Sequence, residues 1–345
     1  MDANRNKRYS RQILFSPIGP AGQDKLANSR VAIVGAGALG TVLANHMVRS
    51  GVGFVRLIDR DFVEESNLQR QMLYDEQDAG NHMPKAAAAA EKLRKVNSSV
   101  TIEPVIGDVH AYNAEKLLAD VDLILDGTDN FQIRYLINDI AVKHRIPWIY
   151  GGAVSSNGMF AAIRPHETPC YRCLFPNPPA GRGDTCDTVG VIGPIIHIIA
   201  SYQATEALKI LVGADKHYNP YLEQFELWHN QHMQLNIGKG KREDCPACGR
   251  GEFDFLHPHT ETEEIYTTLC GRDSVQITPS GGRSVNLEEE EKVFARIGKV
   301  DRNPFLLRFQ VDGCTLVLFK DGRVVVQGTQ DITTAKSLYA KYIGH

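Results

Sequence analysis

Three groups of residues in this chain have types and spacings suited to chemistry: a glycine-rich turn, a scatter of Arg, Lys and Asp downstream of it, and two Cys-x-x-Cys pairs. The turn, Gly35-Ala36-Gly37-Ala38-Leu39-Gly40, follows a short apolar run at 31–34. It opens a stretch, 38–50, in which Leu39, Leu43, Met47 and Val48 recur at helical spacing. Glycines at such a strand-to-helix turn let a pyrophosphate approach the helix N-terminus, where unpaired N–H groups and the helix dipole favour anions. Asp59 stands about twenty residues on, after the apolar run 54–58, where a carboxylate can accept from ribose hydroxyls. The turn alone does not separate NAD from ATP, and by itself it would make a NAD-dependent oxidoreductase the default.

The charged residues turn the reading toward ATP. Asn67-Leu68-Gln69-Arg70-Gln71 and Lys85 follow Asp59, and Gly127-Thr128-Asp129-Asn130 follows a further apolar strand. Arg70 and Lys85 supply fixed positive charge of the sort a triphosphate in transfer chemistry needs, and Asp129 at a strand end suits Mg²⁺. Hydride transfer needs no such set. Four of the seven cysteines form the pairs Cys170/Cys173 and Cys245/Cys248, a pattern that in an unexported chain favours metal over disulfides. Two short knuckles can supply four thiolates to one tetrahedral Zn²⁺, leaving no open position and therefore a structural metal. Cys186 lies apart, in a proline- and glycine-rich stretch (176–190) that reads as a mobile crossing loop; a nucleophilic thiolate there would need an electropositive setting, to which Arg182 can contribute. Cys270 and Cys314 read as small apolar residues, and His82, His144 and His197 lack partnered spacing.

The elements that must position these groups begin with a βαβ unit, strands at 31–34 and 54–58 flanking the helix at 38–50. An alanine-rich helix at 86–95 follows, then strands at 101–105, 121–125, 147–150 and 159–164. Alternating strands and helices imply a Rossmann-like α/β domain with a mixed, mostly parallel sheet, its topology changing in the later strands. From about 261 the chain changes character, with strands at 305–311, 315–319 and 323–327, an Asp321-Gly322 turn and a final helix at 332–343. The expected domains are 1–258, carrying ATP and the cysteine knuckles, and 259–345, a small α+β unit.

At 345 residues the chain exceeds the size at which a single core usually stops growing, which agrees with two domains. Its net charge of −3 gives no reason to expect nucleic acid. The polar start, 1–11, lacks the apolar core of a signal peptide behind it, so a cytoplasmic setting is expected. The apolar stretch 191–212 is nearly long enough to cross a bilayer, but His197, Gln203, Glu206 and Lys209 interrupt it, and it reads as a core or dimer-interface helix, with no membrane involved.

Arg8-Tyr9-Ser10-Arg11-Gln12, the glycine turn, Asp59 with Asp61, Asn67 to Gln71, Lys85, Thr128-Asp129-Asn130, both cysteine pairs and Cys186-Asp187-Thr188-Val189-Gly190-Val191 occur in one order over roughly the first 250 residues. In this the sequence resembles the ThiF/MoeB/HesA family, which shares fold and chemistry with ubiquitin-activating enzymes. The resemblance implies ATP-dependent, Mg²⁺-assisted adenylation of the C-terminal glycine carboxylate of a ubiquitin-like sulfur carrier, ThiS- or MoaD-like, for thiamine or molybdopterin cofactor synthesis. It implies that Gly35, Gly37, Gly40, Asp59, Asp61, Asn67, Arg70, Gln71, Lys85, Asp129 and Asn130 surround ATP. In this scheme Asp59 meets the ribose, Asn67, Arg70 and Lys85 the phosphates, and Asp129 the Mg²⁺. Cys170, Cys173, Cys245 and Cys248 share one Zn²⁺, and Arg11 acts in trans across a homodimer. At the position of Cys186, ThiF-like members can form a covalent bond to the carrier and MoeB-like members dispense with the cysteine; both alternatives stay open. The tail does not resemble a rhodanese domain, so a separate sulfur donor is expected. The competing readings are the NAD-dependent oxidoreductase and a catalytically silent carrier-binding scaffold.

Overall fold

A computed structural model describes residues 7–178, 186–257, 264–269, 273–279 and 284–344, with the backbone alone at 186–187 and 264–269. Arg182 and Cys270 lie outside these residues. The chain divides into two compact units, Met1–Gly80 with Pro84–Pro258, and Asn81–Met83 with His259–His345.

In the first unit, α1 (Gly19–Asn28) leads into β1 (Arg30–Val34), α2 (Ala38–Ser50) and β2 (Phe54–Asp59). Then come α3 (Lys85–Val96), β3 (Thr101–Ile106), β4 (Leu123–Asp126), α4 (Phe131–His144), β5 (Trp148–Val154), β6 (Asn157–Ile163), α5 (Gly193–Val212), β7 (Tyr221–Glu226) and β8 (Gln231–Asn236). One sheet results, in the order β3-β2-β1-β4-β5-β6-β7-β8. Its first five strands are parallel, as the α/β alternation requires. From β5 to β8 the pairing is antiparallel, so the topology changes where the strand-rich section begins.

The parallel strands are apolar because helices cover both their faces: Val31, Ala32 and Ile33 of β1, and Leu123, Ile124 and Leu125 of β4, are fully buried. Among the described residues α5 alone is long and apolar enough to cross a membrane. In this fold it is a core helix. Ile195, Ile196, Ile199 and Ala200 are buried, His197 is exposed, and the buried polar residues Gln203 and Glu206 are bonded within the protein. Gln203 Nε2 donates to Asp126 O at 2.9 Å and Ile149 O at 3.2 Å, while Glu206 pairs with Lys209 at 2.5 Å.

The second unit holds β9 (Glu264–Leu269), β10 (Ser274–Pro279), α6 (Leu287–Phe294), β11 (Lys299–Arg302), β12 (Leu306–Val311), β13 (Cys314–Phe319), β14 (Val324–Gln327) and α7 (Ile332–Tyr342). Its antiparallel sheet runs β11-β12-β13-β14-β10-β9. Alternate residues of β12 to β14, among them Leu307, Phe309, Leu316, Leu318, Val324 and Val326, bury against Phe294 of α6 and Leu338 of α7. Asp331 caps α7 by accepting the Thr333 and Thr334 N–H groups. Cys314 opens β13 as a free, half-buried thiol, in keeping with a packing role.

Candidate active site at the strand switch point

Strand order reverses between β1 and β4, so a crevice opens beyond their carboxyl ends, where α/β sheets bind ligands. The glycine turn leaves β1 there, and Gly127 leaves β4 beside it, its N–H donating to Val34 O at 2.8 Å. A Cβ at Gly40 would stand 1.8 Å from Gly35 O, and one at Gly35, whose φ is +92°, would stand 2.7 Å from Gly127 O. These glycines let two turns and a helix start touch through their backbones.

Gly37 is different. A Cβ there would meet nothing nearer than Gln71 Nε2 at 3.9 Å, so the protein's own packing does not require glycine. Gly37 is the N-cap of α2, and no side chain caps the first-turn N–H groups. A Cβ at this helix end would obstruct an anion seated on it. Gly37→Ala is accordingly expected to keep the wild-type melting temperature and to weaken ATP binding about tenfold or more by calorimetry, the equivalent of one charge-assisted hydrogen bond. Gly40→Ala is expected to lower the melting temperature instead. Unchanged ATP affinity in Gly37→Ala would take the phosphate away from this turn.

Asp59 pins the turn from β2. Its Oδ2 accepts the Ala36 N–H at 2.6 Å and its Oδ1 the Asp61 N–H at 2.7 Å. Burial pushes this carboxyl above the ordinary range, with Lys85 and the two N–H donors pulling the other way. Asp59 thus has a structural task in addition to the expected contact with ribose. Lys85, 4% exposed at the start of α3, donates its N–H to Asp61 O at 2.9 Å and holds its Nζ 3.4 Å from Asp61 Oδ2. A buried lysine tied to one carboxylate is a fixed point charge. Tyr74 Oη lies 2.7 Å from Ala36 O and 3.1 Å from Lys85 O, joining the glycine turn to the start of α3.

The block from Asn67 to Gln71 completes this wall. Asn67 is buried, and its side chain forms a capping box with Glu64 around a helical turn. Gln71 is buried, and its Oε1 has no hydrogen-bond partner. Arg70 is half-buried and donates from Nη1 to Ser66 O at 2.8 Å.

On the β4 side, Asp129 is exposed, and among the described residues its carboxylate accepts no hydrogen bond. It therefore fits a hard cation, which prefers such oxygens. Asn130 spends its Oδ1 capping α4 through the Gln132 N–H, at 2.8 Å. Arg60 donates from Nη1 to Asp108 at 2.8 Å. Burial works against its charge, but Asp108, Asp61 and Asp129 outweigh it and raise its pKa. Beneath the loop lies a buried ion pair, Arg134 Nε to Asp126 Oδ2 at 2.8 Å, with the carboxylate fully buried.

Sequence reasoning overlooked Arg60, Tyr74, Asp126 and Arg134. Asp126 and Arg134 left a signal, since a charge ending an apolar strand and another facing it from the next helix imply a pair. Arg11 is exposed on the helical turn Ser10–Ile13, whose Gln12 donates to Ser50 O at 3.0 Å, at the end of α2 opposite the glycine turn. Cys186 opens the helical turn Cys186–Val189, and its side chain lies outside the described residues.

The four paired cysteines converge. Cys170 precedes the helical turn Tyr171–Leu174, which places Cys173 3.9 Å away, Sγ to Sγ. Cys245 comes within 3.6 Å of Cys170, and Cys248 within 3.4 Å of Cys173; all four sulfurs lie within 4.8 Å of one another. A tetrahedron of thiolates with Zn–S bonds of about 2.3 Å has edges of about 3.8 Å, so the residues fit zinc. Gly249 closes the second knuckle, its N–H donating to Cys245 O at 2.9 Å.

The glycine turn, the acid-bound lysine and three of the four knuckle cysteines fall within residues 9–247, the stretch that matches the ThiF family, and Cys248 follows directly after it. The chain belongs to the ThiF family. A sulfur carrier protein ThiS adenylyltransferase of Bacillus subtilis (strain 168) is 46% identical over 338 residues, 98% of this chain and 99% of that one. A SAMP-activating enzyme E1 of Haloferax volcanii is 37% identical over 270 residues, 78% of this chain and 98% of the relative. The crystal structure of E. coli MccB with succinimide superposes with a TM-score of 0.61 at 25% identity, covering 70% of this chain and 74% of the other. The ThiF-family match ends at 247, whereas the similarity to the Bacillus protein spans nearly the whole chain and so includes the second unit.

Proposed function

We propose that this ThiF-family chain adenylates the C-terminal glycine carboxylate of a ubiquitin-like sulfur carrier of the ThiS type, using ATP and releasing pyrophosphate. The observation that carries the reading is a helix end left open at Gly37 and flanked by buried Lys85 and exposed Asp129, in a chain similar end to end to a ThiS adenylyltransferase. The carrier carboxylate is ionised near pH 7 and needs no general base. One of its oxygens forms a bond to the α-phosphorus as the bond from that phosphorus to the bridging oxygen breaks, and pyrophosphate leaves with the electron pair. The protein's part is to line up the two ends and to neutralise charge.

In this proposal Asp59 receives the ribose, Gly35 and Gly37 with the α2 N-terminus receive phosphate, and Lys85 with Arg70 balances the triphosphate charge. Asp129 would hold Mg²⁺, which would supply further neutralisation of the phosphates. Asp61 fixes Lys85, Asn67 shapes its segment, and Gln71 offers its amide beside Gly37. Arg11, exposed and distant from its own chain's site, suits action in trans within a homodimer. The separate sulfur donor and the structural Zn²⁺ belong to the same proposal.

The test is ATP–pyrophosphate exchange with purified ThiS-like and MoaD-like carriers offered separately. Exchange with the ThiS-like carrier alone is the expected result, and exchange with neither would overturn the substrate assignment. An oxidoreductase would instead bind nicotinamide dinucleotide and not ATP.

A further inference from the structure

Asp126 ends β4 at the switch point, where a carboxylate would ordinarily be read as a metal ligand or base. The structure gives it a different task. Its Oδ1 accepts the Thr128 N–H at 2.9 Å and the Thr128 hydroxyl at 2.7 Å; its Oδ2 accepts Arg134 Nε at 2.8 Å and faces the Gly151 N–H at 3.5 Å. Asp126 is fully buried, so no part of its carboxylate is open to a ligand. Arg134, 4% exposed, uses a second edge as well: Nη2 donates to Thr128 O at 2.7 Å and to Gly151 O at 3.0 Å. The guanidinium is further enclosed by Tyr150 and Phe131, whose ring centroids lie 5.0 and 5.2 Å from it.

Thr128 is therefore held at its N–H, its hydroxyl and its carbonyl, and the next residue is Asp129. On the other side, Gly127 donates to Val34 O and meets the glycine turn so closely that a Cβ would stand 2.8 Å from Gly35 O. A planar fork is the only side chain able to reach Asp126, Thr128 and Gly151 at once; a lysine ammonium is a point. A buried ion pair of this kind adds little net stability over an apolar replacement. Its arrangement suits another purpose, the fixing of one loop.

We propose that Asp126, Thr128 and Arg134 form a positioning clamp that aims the Asp129 carboxylate at the metal on the ATP phosphates, while none of the three touches nucleotide or metal. This rests on the assignment of Asp129 to Mg²⁺. Partners one step behind a metal ligand typically set metal affinity by about 10- to 100-fold. Thr128→Val keeps shape and the backbone bonds while removing the hydroxyl bond, and Arg134→Lys keeps the buried charge while removing the fork.

The experiment measures ATP binding by calorimetry on the full chain, with Mg²⁺ and with chelator, alongside melting curves. In the wild type Mg²⁺ is expected to tighten ATP binding. In Thr128→Val that tightening is expected to shrink about tenfold, with metal-free affinity and melting temperature near wild type; Arg134→Lys is expected to lose more. A merely structural role would lower stability or metal-free affinity and leave the Mg²⁺ effect intact. Full Mg²⁺ tightening in folded Thr128→Val and Arg134→Lys, or none in the wild type, overturns the clamp. Because binding is read without the carrier, loss of carrier-dependent exchange in the wild type would count against the substrate assignment and leave this test standing.

Discussion

Asp129→Ala is expected to reduce carrier-dependent exchange of labelled pyrophosphate into ATP by at least about 10²-fold, the usual consequence of removing one charge-stabilising group from a transfer site. The melting temperature should not move, because Asp129 is exposed and among the described residues its carboxylate accepts no hydrogen bond. The contrast is with Asp126, three residues earlier and fully buried, whose loss would strand Arg134 in the core. Removing one partner of a buried pair costs about 3–5 kcal/mol. Asp126→Ala should therefore reduce activity through instability, and Asp129→Ala without it. Both proteins are measured by exchange and by thermal melting. Wild-type exchange in folded Asp129→Ala would remove this carboxylate from the mechanism and with it the Mg²⁺ assignment.

The other large effect lies in the knuckles. Elemental analysis is expected to find one zinc per chain, and Cys245→Ser to find none. Apparent zinc binding in small thiolate sites amounts to about 10–16 kcal/mol, comparable with the whole stability of a typical domain at about 5–15 kcal/mol. Even a partial loss of several kcal/mol would lower the melting temperature of a unit this size by more than about 10 °C. The reason is topological: the sulfurs tie the segment after β6 to the segment after β8, and Val142 of α4 packs against them. Cys314→Ser, in the second unit, should change neither zinc content nor melting temperature. A chain that is metal-free and fully stable would leave the four thiols as packing residues.

The parts of the fold most legible from the residues were those with strong local signals. The run at 31–34, the glycines and the run ending at Asp59 form β1, α2 and β2 as expected. Asp321-Gly322 joins β13 to β14, and the last helix begins within one capped turn of Asp331. Elements without such signals were passed over. Strand β8, Gln231–Asn236, is exposed at every position and so carries no buried alternation. Helix α4 is buried over most of its length, which blurs the helical stripe, and its start is marked only by the Asn130 cap. The stretch 176–190, read wholly as loop, contains the helical turn Cys186–Val189, too short for periodicity to reveal.

The sequence by itself determined the kinds of chemistry available: a glycine turn suited to an anion, cations at Arg70 and Lys85, several acids close to the strand ends, and four thiols in two pairs. Type and spacing suffice for these because each is a short-range property of the chain. Which acid is free and which is spent was decided only in three dimensions. Asp59, Asp61, Asp126 and Asp129 look alike in the sequence, yet Asp59 pins the glycine turn, Asp61 holds Lys85, Asp126 is consumed by Thr128 and Arg134, and Asp129 alone stays open. Likewise Gly35, Gly37 and Gly40 look equivalent, but packing requires glycine at Gly35 and Gly40 and leaves open space at Gly37. The reason is that a hydrogen-bonding group's availability depends on what burial and long-range pairing bring to it, and those partners lie tens of residues away along the chain.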